Sequence, residues 1–224
     1  MIRARRVYRW IVFLLAGLFV LRMTVFGDYS APLGPFRFLT VWALLASFFC
    51  ASRMIARDEG RSARLWDGTV AATAVLNTMV VLLYWRLYLA DPASVTRDGA
   101  LGDWDMELYL HGLGPALQVF DALVLHRALA RPRSGRRALG LLVAVVAAYT
   151  IWAERVVAPL NDLPAGRVTQ GLPYRFLNDL ALPERLQFYG TNLIVAALLL
   201  ALYAALTRAP GRLSRRRAPR SAAP

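Results

Sequence analysis

Two side chains in this sequence could together carry out acyl transfer: the hydroxyl of Thr40 and the imidazole of His111. A threonine hydroxyl is a weak nucleophile until a base takes its proton. A neutral imidazole, titrating near pH 6.5, does this around neutrality. A Thr–His pair is therefore the smallest machine in the chain that could open an ester. The oxyanion formed in that step needs preorganised donors, and Arg86, Asn192 or a tyrosine hydroxyl such as that of Tyr189 could supply one. His111, Pro115, Gln118 and Asp121 fall at offsets 0, 4, 7 and 10. At 100° per residue they share about a third of a helix circumference. Each residue also has a plainer reading. Threonine in an apolar helix bonds back to a carbonyl one turn earlier, and a histidine can serve as an interhelical hydrogen-bonding group. Asp121 and Asn77 could be polar glue between helices, and His126 an interface residue. Arg86, Glu154 and Arg155 could be interfacial anchors or an ion pair.

The elements that must position these groups are membrane spans. The 224 residues are 58% apolar and 18% charged, against roughly 45–50% and 25% in soluble domains. The charges sit in blocks between long apolar runs. This excludes a disordered chain, a coiled coil and a disulfide-stapled domain. It predicts an all-α polytopic membrane protein with a six-helix transmembrane bundle over 1–208. The spans are expected near 7–26, 36–55, 68–89, 107–128, 138–158 and 187–207. The first follows Arg3, Arg5, Arg6 and Arg9 like a signal peptide, but no small-x-small cleavage site follows it, so it reads as a retained helix. The Pro/Arg/Ser/Ala-rich segment 209–224 reads as a disordered basic cytoplasmic tail that touches anionic lipid heads.

All 27 basic residues are arginines, and the formal charge is +13. The arginine-only set points to a GC-rich bacterial genome. Nineteen arginines cluster at the N-terminus, in 53–64, in 127–137 and after Thr207. These are alternate ends of consecutive spans. Asp28, Asp91, Asp98, Asp103, Asp105 and Glu107 gather at the other ends. The positive-inside rule then puts both termini in the cytoplasm, in a bacterial inner membrane. Arginines that flank spans in this way argue for topology and against a nucleic-acid partner. Cys50 is the only cysteine and there are two histidines, too few soft ligands for an ordinary structural zinc site, so neither metal nor cofactor is expected.

On this topology Thr40 lies four residues from the outer end of the second span, and His111 four residues from that of the fourth. At 1.5 Å per residue both sit about 6 Å deep. Tyr84, Arg86, Tyr149, Glu154, Arg155, Tyr189, Thr191 and Asn192 crowd the same layer, above cytoplasmic halves built mostly of Ala, Leu, Val and Phe. The outer segment 159–186, with Pro159, Pro164, Pro173 and Pro183 and the run LPYRFLNDLAL, is expected to form a lid or interfacial segment. No G-x-S-x-G, H-E-x-x-H, P-loop or G-x-G-x-x-G motif occurs, which weakens soluble hydrolase, metalloprotease and nucleotide readings.

FRFLT at 36–40, LHGLGP at 110–115 with Asp121 ten residues after the histidine, and GLPYRFLNDL leading to Tyr189 and Asn192 resemble the androgen-induced membrane protein family. That family includes the androgen-dependent regulator of tissue factor pathway inhibitor, and the likeness is closest to its small bacterial six-span relatives. The resemblance implies a six-span fold with cytoplasmic termini. It also implies a threonine hydrolase of fatty-acid esters of hydroxy fatty acids, with the nucleophile falling on Thr40 and the essential histidine on His111. The pattern departs from the animal proteins: His111 stands alone, Gly112 follows it, and the proline comes four residues on at Pro115. Two functions follow as expectations. One is an intramembrane lipid-ester hydrolase acting on a lipid substrate drawn from the bilayer. The alternative is a non-enzymatic membrane protein, a small transporter or a lipid- or partner-binding module, with Asp121 and Arg86 on a proton or ion path. A cavity running past Asp121 favours the second; one that dead-ends in apolar walls beneath Thr40 favours the first.

Overall fold

The computed structural model describes residues 2–96 and 99–216. Expectations about Asp98 and about 217–224 lie outside those residues. Six helices are long and apolar enough to cross a membrane: α1 (Arg3–Val25), α2 (Leu39–Asp58), α3 (Asp67–Ala90), α4 (Trp104–Leu125), α5 (Pro132–Leu160) and, after a short helix α6 (Arg175–Asn178), α7, whose apolar part is Leu182–Arg208. The protein is an integral membrane protein. The α7 helix continues to Arg216, so the segment expected to be disordered from 209 begins as helix. Spans alternate in direction, so the chain has a basic end, holding the arginines of the α1 start, 53–64 and 127–137, and a lid end, holding 27–38, 91–96, 99–103 and 161–181.

Helix α3 is apolar all round and forms the axis; 61% of its membrane window is buried, against 22% for α1, α5 and α7. A helix without a polar face belongs in the interior. It packs on α2, α4, α5 and α7. Gly68 permits a close crossing with α5, since a Cβ there would come within 2.7 Å of Arg137 Cβ. Helix α1 packs on α2, with Phe13 stacked on Phe48 at 4.9 Å between centroids.

The basic end is closed by buried charge. Arg9, 2% exposed, donates through Nε and Nη2 to Asp121 Oδ1 at 3.1 and 2.8 Å. Its Nη1 lies 2.9 Å from Asp58. Arg57 contacts His126 Nδ1 at 2.8 Å, and Asp67 lies 2.8 Å from the other ring nitrogen and 2.6 Å from Arg131. Buried charges survive in an apolar bundle only when paired in this way. Asn77 donates to Ser47 Oγ and to the Thr73 carbonyl, both at 2.8 Å, tying α3 to α2.

The segment 161–181 folds into a compact cap over the lid end. Asn178, fully buried, accepts from the Leu172 N–H and donates to the Leu172 carbonyl, both at 3.1 Å. Its own carbonyl accepts from the Val168 and Thr169 N–H groups at 3.0 Å. Gly166 lies so close that a Cβ would meet the Asn178 backbone at 2.4 Å. Leu172 and Leu177 then pack on Tyr149 and Ala153 of α5, which holds the cap down.

Candidate functional site

The turn before α2 decides where Thr40 sits. Leu33 and Gly34 take left-handed backbone at φ 66° and 48°. Pro35 opens one 3-10 turn, Gly34–Arg37, and Phe38 is extended. The helix therefore starts at Leu39, and Thr40 is its second residue. Aromatic groups clamp the turn. Trp42 and Trp152 donate to the Phe36 carbonyl at 3.0 and 3.3 Å, and Tyr149 donates to the Arg37 carbonyl at 3.0 Å. Phe38 has no capping side chain. The Leu39 N–H, left orphaned by the helix start, instead donates to the phenol oxygen of Tyr174 in the cap at 3.2 Å. Burial pushes the Tyr174 phenol above its ordinary value, opposed by the Leu39 N–H and by the hydroxyls of Tyr149 and Thr40. Thr40 thus has its hydroxyl beside Tyr174.

Helix α4 begins farther out than expected because Arg22 of α1 pairs with Asp103 and Asp105 and holds its first turn in place. His111 is then seven residues into its helix and Thr40 one residue into its own. The helix starts are therefore unequal references for the two residues, and packing relates them instead. Thr40, Ala43, Leu44 and Ser47 line a small crevice together with Tyr109, Leu110, Gly114 and Pro115. Those last four bracket His111 on its own helix.

His111 lies in a wide π turn, Tyr109–Leu113, at φ −112° and ψ 17°. Such turns release a carbonyl from the helical ladder and recur at functional sites. Here Trp85 Nε1 donates to the His111 carbonyl at 2.8 Å. The ring is enclosed, with the side chain 9% exposed, and its Nδ1 lies 2.8 Å from Glu107 Oε2. A carboxylate only accepts, so Nδ1 is the donor to Glu107, and in a neutral imidazole the lone pair then belongs to Nε2. Tyr84 of α3 stacks flat on the imidazole, with centroids 3.5 Å apart and planes 2° from parallel.

Tyr84 is also a wall of the main cavity, about 900 Å³ of atom-free space when the open solvent at its edge is included. Thr40, Tyr149, Tyr174, Tyr189 and Asn192 are its polar groups. Tyr84 and Thr150 add two further hydroxyl-bearing side chains; the remainder is aliphatic, thioether or phenyl, and no charged side chain lines it. Its deep walls are Leu76, Leu142 and Ala196. Asp121 and His126 are not among them.

The candidate residues therefore divide. Thr40, Tyr189 and Asn192 share the cavity, and His111 stands behind its Tyr84 wall. Tyr189 donates to Glu154 at 3.1 Å, and Asn192 donates to the Phe188 carbonyl at 2.8 Å. Arg86 is exposed on α3, outside the cavity lining. Asp121 is at the basic end with Arg9. Glu154 pairs with Arg185 at 2.8 Å, while Arg155 is exposed. No hydrogen bond joins Thr40 to His111 among the described residues. Those residues also contain no group of three or more His, Cys, Asp or Glu able to hold a metal. Two contributors escaped the reading of the sequence. Glu107 was legible as an acid one turn before His111; Tyr174, 134 residues from Thr40, carried no local signal.

Residues 12–208 match the model of the FAR-17a/AIG1-like protein family, and the chain belongs to that family. No curated protein and no solved structure matches it significantly.

Proposed function

We propose that this family member is a lipid-ester hydrolase of the membrane, with Thr40 as nucleophile and His111 as base. The observation that carries the reading is the cavity: uncharged, blind toward the basic end, and touching Thr40 at its lid end. A conduction path would need to continue past Asp121, but that carboxylate is locked to Arg9 behind closed packing. The buried imidazole, oriented by Glu107 and set in a widened turn, supports the base assignment.

In the proposed reaction, His111 Nε2 takes the Thr40 proton as Oγ1 bonds to the ester carbonyl carbon. The imidazolium then protonates the departing alkoxide, leaving an acyl-threonine. Water, deprotonated by the same nitrogen, attacks that ester; the acid leaves and the threonine hydroxyl is restored. The Thr40 hydroxyl turns from Tyr174 to His111 as the carbonyl enters, the kind of tightening expected on substrate binding. Tyr189 and Asn192 remain candidate oxyanion donors. We assign Arg86 to the surface and Asp121 to the scaffold. The orientation proposed with this function puts both termini in the cytoplasm and the cavity mouth at the outer face of a bacterial plasma membrane.

The test is labelling of the membrane-embedded protein by a fluorophosphonate probe. Thr40→Ala and His111→Ala should each abolish labelling at unchanged protein level. Undiminished labelling in both variants overturns the assignment and leaves a lipid-binding module as the better account of the cavity.

A further inference from the structure

The proposed hydrolase has an ester with two sides, and the shape of the cavity distinguishes them. Three helices each contribute one stripe to its wall. On α3 the stripe is Leu76, Met79, Val80, Leu83, Tyr84 and Leu87; on α5 it is Leu142, Val146, Tyr149 and Thr150; on α7 it is Phe188, Tyr189, Asn192 and Ala196. The spacing is one, three or four residues, so each stripe is a single helix face. From the tyrosine on each helix to the deepest lining residue is eight, seven and seven residues. At 1.5 Å per residue the chamber reaches about 10–12 Å below the tyrosine layer. An extended alkyl chain advances about 1.25 Å per methylene, given 1.5 Å bonds at about 111°, so that depth holds about eight to ten methylenes.

We propose, resting on the hydrolase reading, that this chamber takes the acyl chain of the ester and that Ala196 sets its length. The acyl group remains bonded to Thr40 in the intermediate, whereas the alcohol must leave. The uncharged deep end suits the part that stays, and the lid end beside Thr40 suits the part that departs. A charged group in the chamber would find no countercharge on its walls. The chain must therefore be a plain aliphatic acyl group of medium length, with any ionised group carried on the alcohol side or beyond the mouth. Ala196 is 2% exposed and is the smallest side chain at the deep end; Leu142, also 2% exposed, lies there on α5. Enlarging the first shortens the chamber, and trimming the second lengthens it.

The experiment uses the full chain in detergent or vesicles with p-nitrophenyl acyl esters from C2 to C16. Ala196→Phe should lower kcat/KM for the C10 ester about tenfold or more relative to wild type, the scale of lost pocket methylenes, while leaving the C4 ester unchanged. Leu142→Ala should move the optimum to longer chains. Opposite shifts in the two variants cannot come from general damage to the fold. Equal effects of either variant on all lengths would overturn the inference. The chamber is read without chemistry in the Thr40→Ala background, by the thermal shift from alkyl methyl esters. A C10 ester that stabilises Thr40→Ala, but not Thr40→Ala/Ala196→Phe, supports the chamber even if no ester is hydrolysed; that result separates failure of this inference from failure of the hydrolase reading. The same shift in both proteins refutes the role of Ala196.

Discussion

Replacing Arg9 with leucine removes the only cation paired with Asp121 among the described residues. The three charged side chains of this cluster are 3–5% exposed. Asp58 keeps a second partner, Arg5, at 2.9 Å, so the loss falls on Asp121. Breaking a buried pair by deleting one partner costs about 3–5 kcal/mol; the surviving Arg5 contact puts Arg9→Leu near about 3 kcal/mol. For 150–250 residues each kcal/mol moves Tm by about 2–4 °C, so a fall of about 6–12 °C is expected. Thermal unfolding of the detergent-purified protein measures it. The triple variant Arg9→Leu/Asp121→Leu/Asp58→Asn should recover most of the loss, since replacing a whole buried charge cluster with apolar groups is often neutral. Fluorophosphonate labelling of Arg9→Leu at low temperature should be retained, because Asp121 lies ten residues from His111, about 15 Å along the helix. A Tm within about 1 °C of the parent would refute the assignment of this cluster to the scaffold. Loss of labelling in a folded variant would return Asp121 to the chemistry.

Glu107→Gln can donate to His111 Nδ1 and stabilise the wrong tautomer. The labelling rate should fall at least about tenfold, but less than the ~10⁴ seen for an enclosed triad carboxylate, because the Glu107 side chain is 22% exposed. Tyr174→Phe leaves the Leu39 N–H without its cap, at a cost of about 1 kcal/mol, read as faster hydrogen exchange at the start of α2. The wild-type phenol titrates above its ordinary value of 10.0. The folded state therefore holds this proton more tightly than the unfolded one, and its stability contribution is full below about pH 10 and falls as pH rises beyond it. Tyr174→Phe should remove that alkaline slope; an unchanged slope would assign it to other groups. Asn178→Ala deletes the cap's internal hydrogen bonds, and limited proteolysis within 161–181 should accelerate while the spans remain intact.

Hydropathy and arginine placement made the six helices legible because both are local properties. An apolar run long enough to span a membrane must be helical in lipid, whatever packs beside it. The candidate pair was legible as chemistry for a related reason: polar residues are rare at such depth, so Thr40 and His111 stood out from their neighbours. Their relation was not legible. The Pro35 turn sets the start of α2, and the Arg22 pairs extend α4 outward, so the helix ends give no common reference for the two residues. The stripe His111, Pro115, Gln118 and Asp121 is buried along its whole length, although α4 carries wide turns at Tyr109–Leu113 and Asp121–Leu125. What the spacing left open was the partner: Asp121 meets Arg9, 112 residues away. The cap hydroxyl beside Thr40, the tyrosine stacked on His111 and the depth of the chamber all depend on contacts between residues distant in the chain. Composition and period determine which segments are buried in the bilayer and which ends carry charge. Only three-dimensional packing decides which buried polar group faces which, because that choice depends on helix rotation and register, and no run of residues encodes either by itself.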